Sequence, residues 1–233
     1  MVSAAVEAGT FRAALLDMDG TLVDSDAVVE RVWRRWAAAN GVDVARVFAT
    51  MHGRQAHATM AELLPDRPHE LNLADNARML AEETADTEGI VPIPGAAGLL
   101  AALERLPHAL VTSADRKLMT ARMGAAGLRV PDVLVTAECV SASKPDPEGF
   151  LKGAAELGVA PGECVVFEDS AAGIAAGLAA GMTVIGVGER AAAHGPAAVV
   201  ATLEGVRVTG TGPFRLYLPA AGPGRPDQPA TAS

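Results

Sequence analysis

A chain of 233 residues, 50% hydrophobic but only 3% aromatic, can fill one large domain, or one domain carrying an insertion, with a core mostly of Ala, Val and Leu. A formal net charge of −9 and the lack of any basic run argue against a nucleic-acid surface, which needs clustered Lys and Arg. Cys139 and Cys164 are too few and too isolated for a disulfide framework or a thiolate metal centre, and read as small buried hydrophobes in a reducing, cytoplasmic setting.

Met1–Thr10 has no basic cluster leading into an apolar stretch, so no signal peptide is read there. The next segment, Arg12–Thr21, is an apolar run that ends in Asp17, Asp19 and Gly20. Side chains i and i+2 of an extended chain point the same way, which puts both carboxylates at the end of a buried strand, Ala13–Leu16. Acids held so close repel and call for a cation. Gly20 permits a tight turn, with amide N–H groups expected to be free for an anion. Taken alone, the Asp-x-Asp-Gly turn also reads as a calcium-loop fragment or a polar strand end.

Apolar stripes at helical spacing follow at Asp26–Ala39 (Val28, Val29, Val32, Trp33, Trp36), Ala56–Leu64 and Leu73–Thr84, punctuated by Gly41, Pro65–Pro68 and Pro92–Pro94. About 95 residues separate Asp17 from Thr112, where an ordinary βαβ crossover needs a few tens. A helical cap is therefore expected over residues 25–91, hinged near Val23–Ser25 and Pro92–Gly95. Within it, Arg54 is the best candidate to touch a ligand: Gly53 permits a turn, and the guanidinium suits an oxygen-rich molecule. A plain surface arginine is the alternative. His52 and His57 read as structural or solvated.

Further strands are expected at Ala109–Val111, Val133–Val135, Cys164–Phe167 and Thr183–Val187, most followed by helical periodicity. This is the α/β pattern of an open, mostly parallel sheet with helices on both faces, whose ligands bind at the carboxyl ends of the strands. Asp17, Thr112 and Glu168 would share that edge. Thr112 and Ser113 precede a helix starting near Arg116 and suit phosphate oxygens, although Ser113 or Asp115 also reads as a helix cap. The chain has only three lysines, Lys117, Lys144 and Lys152. Lys144, ahead of Pro145, reads alone as a solvated side chain, but beside a phosphoryl site it would neutralise developing charge.

Glu168 and Asp169 end another strand and, facing Asp17 and Asp19, make a hard oxygen site suited to Mg²⁺. Gly173, Gly177 and Gly181 read as packing and C-cap positions without chemistry. The uncharged stretch Ser170–Gly188 is dominated by Ala and Gly and split by Gly181, so no membrane span is expected. Pro, Gly, Ala and Thr without apolar pattern suggest a disordered tail over 219–233, leaving 1–24 and 92–218 for the core.

The order Asp-Met-Asp-Gly-Thr, Thr-Ser, Lys-Pro, Glu-Asp over Ala13–Val187 resembles the haloacid dehalogenase (HAD) superfamily, and the segment Val135–Gly153 is similar to its sugar-phosphate and glycerol-phosphate phosphatases. The resemblance implies a Rossmann-like core with a small helical cap. It also implies a Mg²⁺-dependent phosphatase in which Asp17 attacks phosphorus and Asp19 serves as general acid and base. Metal ligands would be Asp17, the Asp19 carbonyl and Asp169, with Glu168 direct or through water; Gly20, Thr112, Ser113 and Lys144 would surround the phosphate.

Asp19 argues for phosphoryl transfer over dehalogenation, and a cap without lysine argues against phosphonate hydrolysis. A β-phosphoglucomutase-like mutase shares all four motifs, but Thr21 matches the phosphatases and Gly53-Arg54-Gln55 aligns poorly with the mutase cap signature. A catalytically idle regulatory member would be expected to lack Asp17 or Asp19, and an EF-hand loop over Asp17–Val28 lacks its glutamate. The expected partner is a small phosphorylated metabolite, with no nucleic acid, membrane or obligate protein partner.

Overall fold

The computed structural model describes residues 5–220. Strand β1 (Ala5–Phe11) leads into β2 (Ala13–Leu16), and β3 (Val23–Asp24) opens an all-helical stretch: α1 (Asp26–Asn40), α2 (Val44–Thr50), α3 (Ala56–Leu63) and α4 (His69–Ala85). Strand β4 (Val91–Pro92) closes it by pairing antiparallel with β3, so a two-stranded ribbon joins the helices to the rest. Then follow α5 (Ala96–Leu103), β5 (His108–Val111), α6 (Arg116–Ala125), β6 (Val133–Val135), α7 (Glu148–Glu156), β7 (Cys164–Glu168), α8 (Ala171–Ala179), β8 (Thr183–Val187), β9 (Ala198–Val200), β10 (Arg207–Thr209) and β11 (Phe214–Pro219).

Six parallel strands run in the order β6-β5-β2-β7-β8-β9, with β2 in the interior of the sheet and every one of its residues buried. The two-residue period of a strand divides its side chains between two apolar layers. Ala14, Leu16, Leu110, Val165 and Phe167 enter one layer, whereas Ala13, Leu15, Ala109, Val111 and Val166 enter the other. The helical stretch has a third core of its own, around Trp33, Trp36, Val47, Met60 and Met79, which is why so long an insertion holds its shape. Trp36 also donates through its indole N–H to Asp75, 2.9 Å away.

The inserted helices match expectation with two differences. Helix α4 begins at His69, four residues earlier than its stripe suggested, and α2 was not anticipated, because it buries only Val47. Gly41 ends α1 in the left-handed region.

A second, antiparallel sheet of order β1-β11-β10 was also not anticipated. Its Phe214, Leu216 and Leu218 join the same apolar layer as Leu99 and Leu103 of α5. The tail expected from Pro219 is corrected at its start: Pro219 is the last residue of β11, paired with Ala5. Residues 221–233 lie outside the described residues. No helix among the described residues is long and apolar enough to cross a membrane.

Candidate active site

Parallel pairing of β2 with β5 and β7 brings three chain segments to one sheet edge. Asp17 follows β2 directly, its amide donating to the Phe167 carbonyl at 3.1 Å, and Glu168 and Asp169 end β7 beside it. Asp17, Glu168 and Asp169 are buried, each offering an oxygen within 4.8 Å of the others'. Lys144 arrives from the loop before α7. Its ammonium donates to Asp17 at 2.6 Å, to Glu168 at 2.8 Å and to the Val111 carbonyl at 3.3 Å, and lies 5.1 Å from the centre of the Phe150 ring.

That loop is held by Glu148, whose carboxylate accepts from the Ser141 amide and hydroxyl and the Ala142 amide at 2.7–3.0 Å. These bonds place the Glu148 carboxyl at about 2, well below its ordinary range. Burial pushes the Asp17 carboxyl up, to about 7, with Lys144 pulling back and Glu168 adding to the rise. Asp169 is raised by burial and by the charges of Glu168 and Asp17, against the pull of Arg190, 3.0 Å away. Burial works against the Lys144 ammonium, but Asp17 and Glu168 outweigh it and the net direction is upward.

Three crowded carboxylates facing one lysine form an oxygen-only donor set suited to a hard divalent cation. The donors differ, though. Both Glu168 oxygens already accept, one from Lys144 and the other from the Ser170 amide at 2.6 Å and hydroxyl at 2.9 Å.

One glycine behaves differently from its reading in the sequence. The Gly20 amide donates to the Val23 carbonyl at 2.8 Å, so it is not free for an anion; closing the turn that re-enters β3 takes that donor. What Gly20 contributes is a φ of +80° and the lack of a Cβ, which would sit 2.1 Å from Asp169 Oδ2. Gly173, read as a packing position, packs against the site: a Cβ there would lie 1.7 Å from Glu168 Oε1.

Thr112 is buried at the end of β5, and its hydroxyl accepts from the Ala114 amide at 3.1 Å. Asp115, not Ser113, caps α6, accepting from the Leu118 amide at 2.8 Å. The Ser113 hydroxyl instead donates to the Gly53 carbonyl at 2.9 Å. Gln55 donates its amide to the Ser143 hydroxyl at 2.9 Å, and Gly53 lies so close to Ser170 that a Cβ would be 2.0 Å from its hydroxyl oxygen. The loop carrying Arg54 thus rests on serines beside each of three core motifs.

A cavity of about 260 Å³ lies between this loop, α4 and the sheet edge, with Asp19, Arg54, Asp169 and Arg122 in its walls. Arg54 is ion-paired to Glu62 there. His52 and His57 line it too, both held below the ordinary histidine range, mainly by burial. The Asp19 side chain does not join the other acids. It accepts from the Ser25 hydroxyl and from Arg122, each at 2.7 Å.

Arg122, Glu83 and Arg190 were missed in the sequence. A signal existed for the first two: Arg122 interrupts the buried face Leu118, Met119, Met123 of α6, and Glu83 follows Met79 by one turn on α4. For Arg190, in a short turn after β8, no sequence signal exists.

The haloacid dehalogenase-like hydrolase family matches residues 11–181. Hexitol phosphatase A of Escherichia coli (strain K12) is 45% identical over 175 residues, 74% of this chain and 81% of that protein. Glycerol-1-phosphate phosphohydrolase 2 of Saccharomyces cerevisiae is 35% identical over 188 residues, 75% of this chain and 74% of that protein. Among solved structures, a β-phosphoglucomutase from Clostridium difficile superposes with a TM-score of 0.73, covering 83% of this chain and 92% of that one; at 23% identity this likeness concerns the fold alone. The chain therefore belongs to the haloacid dehalogenase-like hydrolases, on the branch that hydrolyses phosphoric monoesters.

Proposed function

We propose that this protein hydrolyses a small phosphorylated metabolite, a sugar or polyol phosphate, in two steps through an aspartyl-phosphate on Asp17. The observation that supports this most is the Lys144 ammonium fixed between Asp17 and Glu168, at 2.6 and 2.8 Å, with the flanking acids Asp19 and Asp169 in the wall of a cavity of about 260 Å³. That volume is just below the range of about 300–1,000 Å³ usual for small-molecule sites, which suits a small metabolite.

An Asp17 oxygen attacks phosphorus as the ester P–O bond breaks, and Asp19 gives its proton to the departing alcohol oxygen. Water then attacks the acyl phosphate, Asp19 takes the water's proton, and phosphate leaves with Asp17 restored. Lys144 and the Thr112–Ser113 segment offset charge spread over the phosphoryl oxygens. Glu168, anchored by Ser170 and buttressed by the bare Cα of Gly173, holds Lys144 in place. Asp17 and Asp169, with the Asp19 main-chain carbonyl, would hold Mg²⁺, and Glu168 would stand behind them. The cation would supply positive charge to the phosphoryl oxygens and keep Asp17 ionised. Residues 25–91 act as the cap that excludes water and selects the leaving group, and Arg54 faces the substrate from it.

The test is phosphate release, with Mg²⁺ and with EDTA, over a panel of sugar, polyol and nucleotide monophosphates, with Asp17→Asn as blank. Mg²⁺-dependent release concentrated on a few sugar or polyol phosphates supports the proposal. Conversion of β-glucose 1-phosphate to its 6-phosphate without release would make the protein a mutase.

A further inference from the structure

Arg122 is the most enclosed cation on the cavity wall, 3% exposed, and it joins two domains' worth of charge. One guanidinium nitrogen donates to Asp19 at 2.7 Å; the other donates to Glu83, on α4 of the inserted helices, at 2.6 Å. Its Nε has no partner and is buried. The ion pairs keep the guanidinium protonated despite burial, whereas burial raises the Glu83 carboxyl against the pull of Arg122.

Packing does not require this arrangement. The neighbouring buried residues of α6 are Leu118, Met119 and Met123, and an apolar side chain of similar volume is often as stable as a buried ion pair, or more so. The pair is instead placed where a leaving group must lie: in the wall shared by α4 and α6, one hydrogen bond from Asp19. A guanidinium beside a carboxylate offers a donor and an acceptor side by side. A hydroxyl needs one of each, and two neighbouring hydroxyls match the pair. Trp33, Leu73, Met79 and Leu118, also in the wall, suit the carbon chain.

We propose that Arg122 and Glu83 form a hydroxyl-reading subsite, selecting phosphate esters whose leaving alcohol carries a hydroxyl next to the ester carbon. The inference rests on the phosphatase reading and names what that phosphatase recognises. Substrate hydroxyls take the place of Asp19 on the guanidinium, which frees that carboxyl for proton transfer. An ester without the neighbouring hydroxyl leaves Arg122 on Asp19 and is turned over slowly.

The experiment compares kcat/KM for glycerol 1-phosphate and n-propyl phosphate, equal in carbon chain but not in hydroxyls, in the unmodified enzyme, Glu83→Gln and Arg122→Met. Sites built to bond a hydroxyl reject its absence strongly, so a preference of about a hundredfold or more is expected in the unmodified enzyme. The ratio should fall about tenfold or more in each variant. Because it is a ratio, loss of folded protein cancels; where Arg122→Met does not fold, the near-isosteric Glu83→Gln decides alone. A phosphatase without that preference, or a ratio unmoved in Glu83→Gln, overturns the subsite and leaves the phosphatase reading intact. Silence toward every ester of the panel overturns both.

Discussion

Replacing glycine by alanine inside a helix ordinarily stabilises it by about 1 kcal/mol. At Gly173 the sign should reverse. The added Cβ would lie 1.7 Å from Glu168 Oε1 and 2.0 Å from its Cδ, a separation no side chain tolerates. Glu168 is fully buried and accepts three hydrogen bonds, from Lys144 and twice from Ser170, so it cannot swing into solvent to relieve the overlap. Losing one or two such bonds to a charged group costs about 1.5–3 kcal/mol each, which exceeds the helix gain. Gly173→Ala should therefore be net destabilised by roughly 0.5–5 kcal/mol in urea unfolding. Displacing Lys144 on the same account lowers kcat/KM about a hundredfold.

Two other glycines calibrate the argument. Gly124, exposed on α6 with nothing within 4 Å of its would-be Cβ, should gain about 0.5–1 kcal/mol on the same change. At Gly177 the Cβ would meet Val184 Cγ2 at 2.8 Å, and the cost of crowding the β8 layer, about 1–3 kcal/mol, should cancel or exceed the helix gain. Gly173→Ala as stable and active as Gly124→Ala would refute the reasoning.

Asp17→Asn should abolish turnover, and Asp19→Asn should lower it by about 10² to 10⁴, with melting temperatures showing both folded; near-normal turnover of either with Mg²⁺ present would sink the mechanism. Lys144→Met leaves Asp17 and Glu168 buried without their cation and should cost about 3–5 kcal/mol, part of it recovered on adding Mg²⁺. A melting temperature unmoved by both changes would contradict that. The Glu148 carboxyl is depressed to about 2 when folded, so its contribution to stability is complete above its ordinary value near 4.5 and fades as pH falls toward 2. Wild type should thus exceed Glu148→Gln in stability at pH 6, by less at pH 3, and converge on it only below about pH 2; a constant difference would count against the Ser141–Ala142 anchoring.

The parallel sheet was legible because Ala13–Leu16 and Cys164–Phe167 are short apolar runs ending in acids, and a buried parallel strand needs little more. The β1-β11-β10 sheet was not, because Ala5–Phe11 is broken by Gly9 and its partner Phe214–Pro219 lies at the other end of the chain. Asp17, Lys144, Glu168 and Asp169 lie together; the strand ends suggested this for the three acids, whereas Lys144 read alone as a solvated side chain and was placed there only by the family resemblance. The Asp19 side chain turns away because Arg122 and Ser25 hold it, and an arginine's partner is a matter of tertiary packing. Likewise Gly20 and Gly173 serve by the atoms they lack against Asp169 and Glu168, which no pattern in a single sequence records.

In the proposed mechanism the phosphoryl group is carried on Asp17. Acid quenching of a Mg²⁺-containing reaction during turnover of a polyol phosphate, followed by peptide mapping, locates that group directly. A hydroxylamine-labile phosphoryl adduct is expected on the peptide containing Asp17, absent from Asp17→Asn. Phosphate release with no adduct there, or an adduct on another residue, would contradict the mechanism.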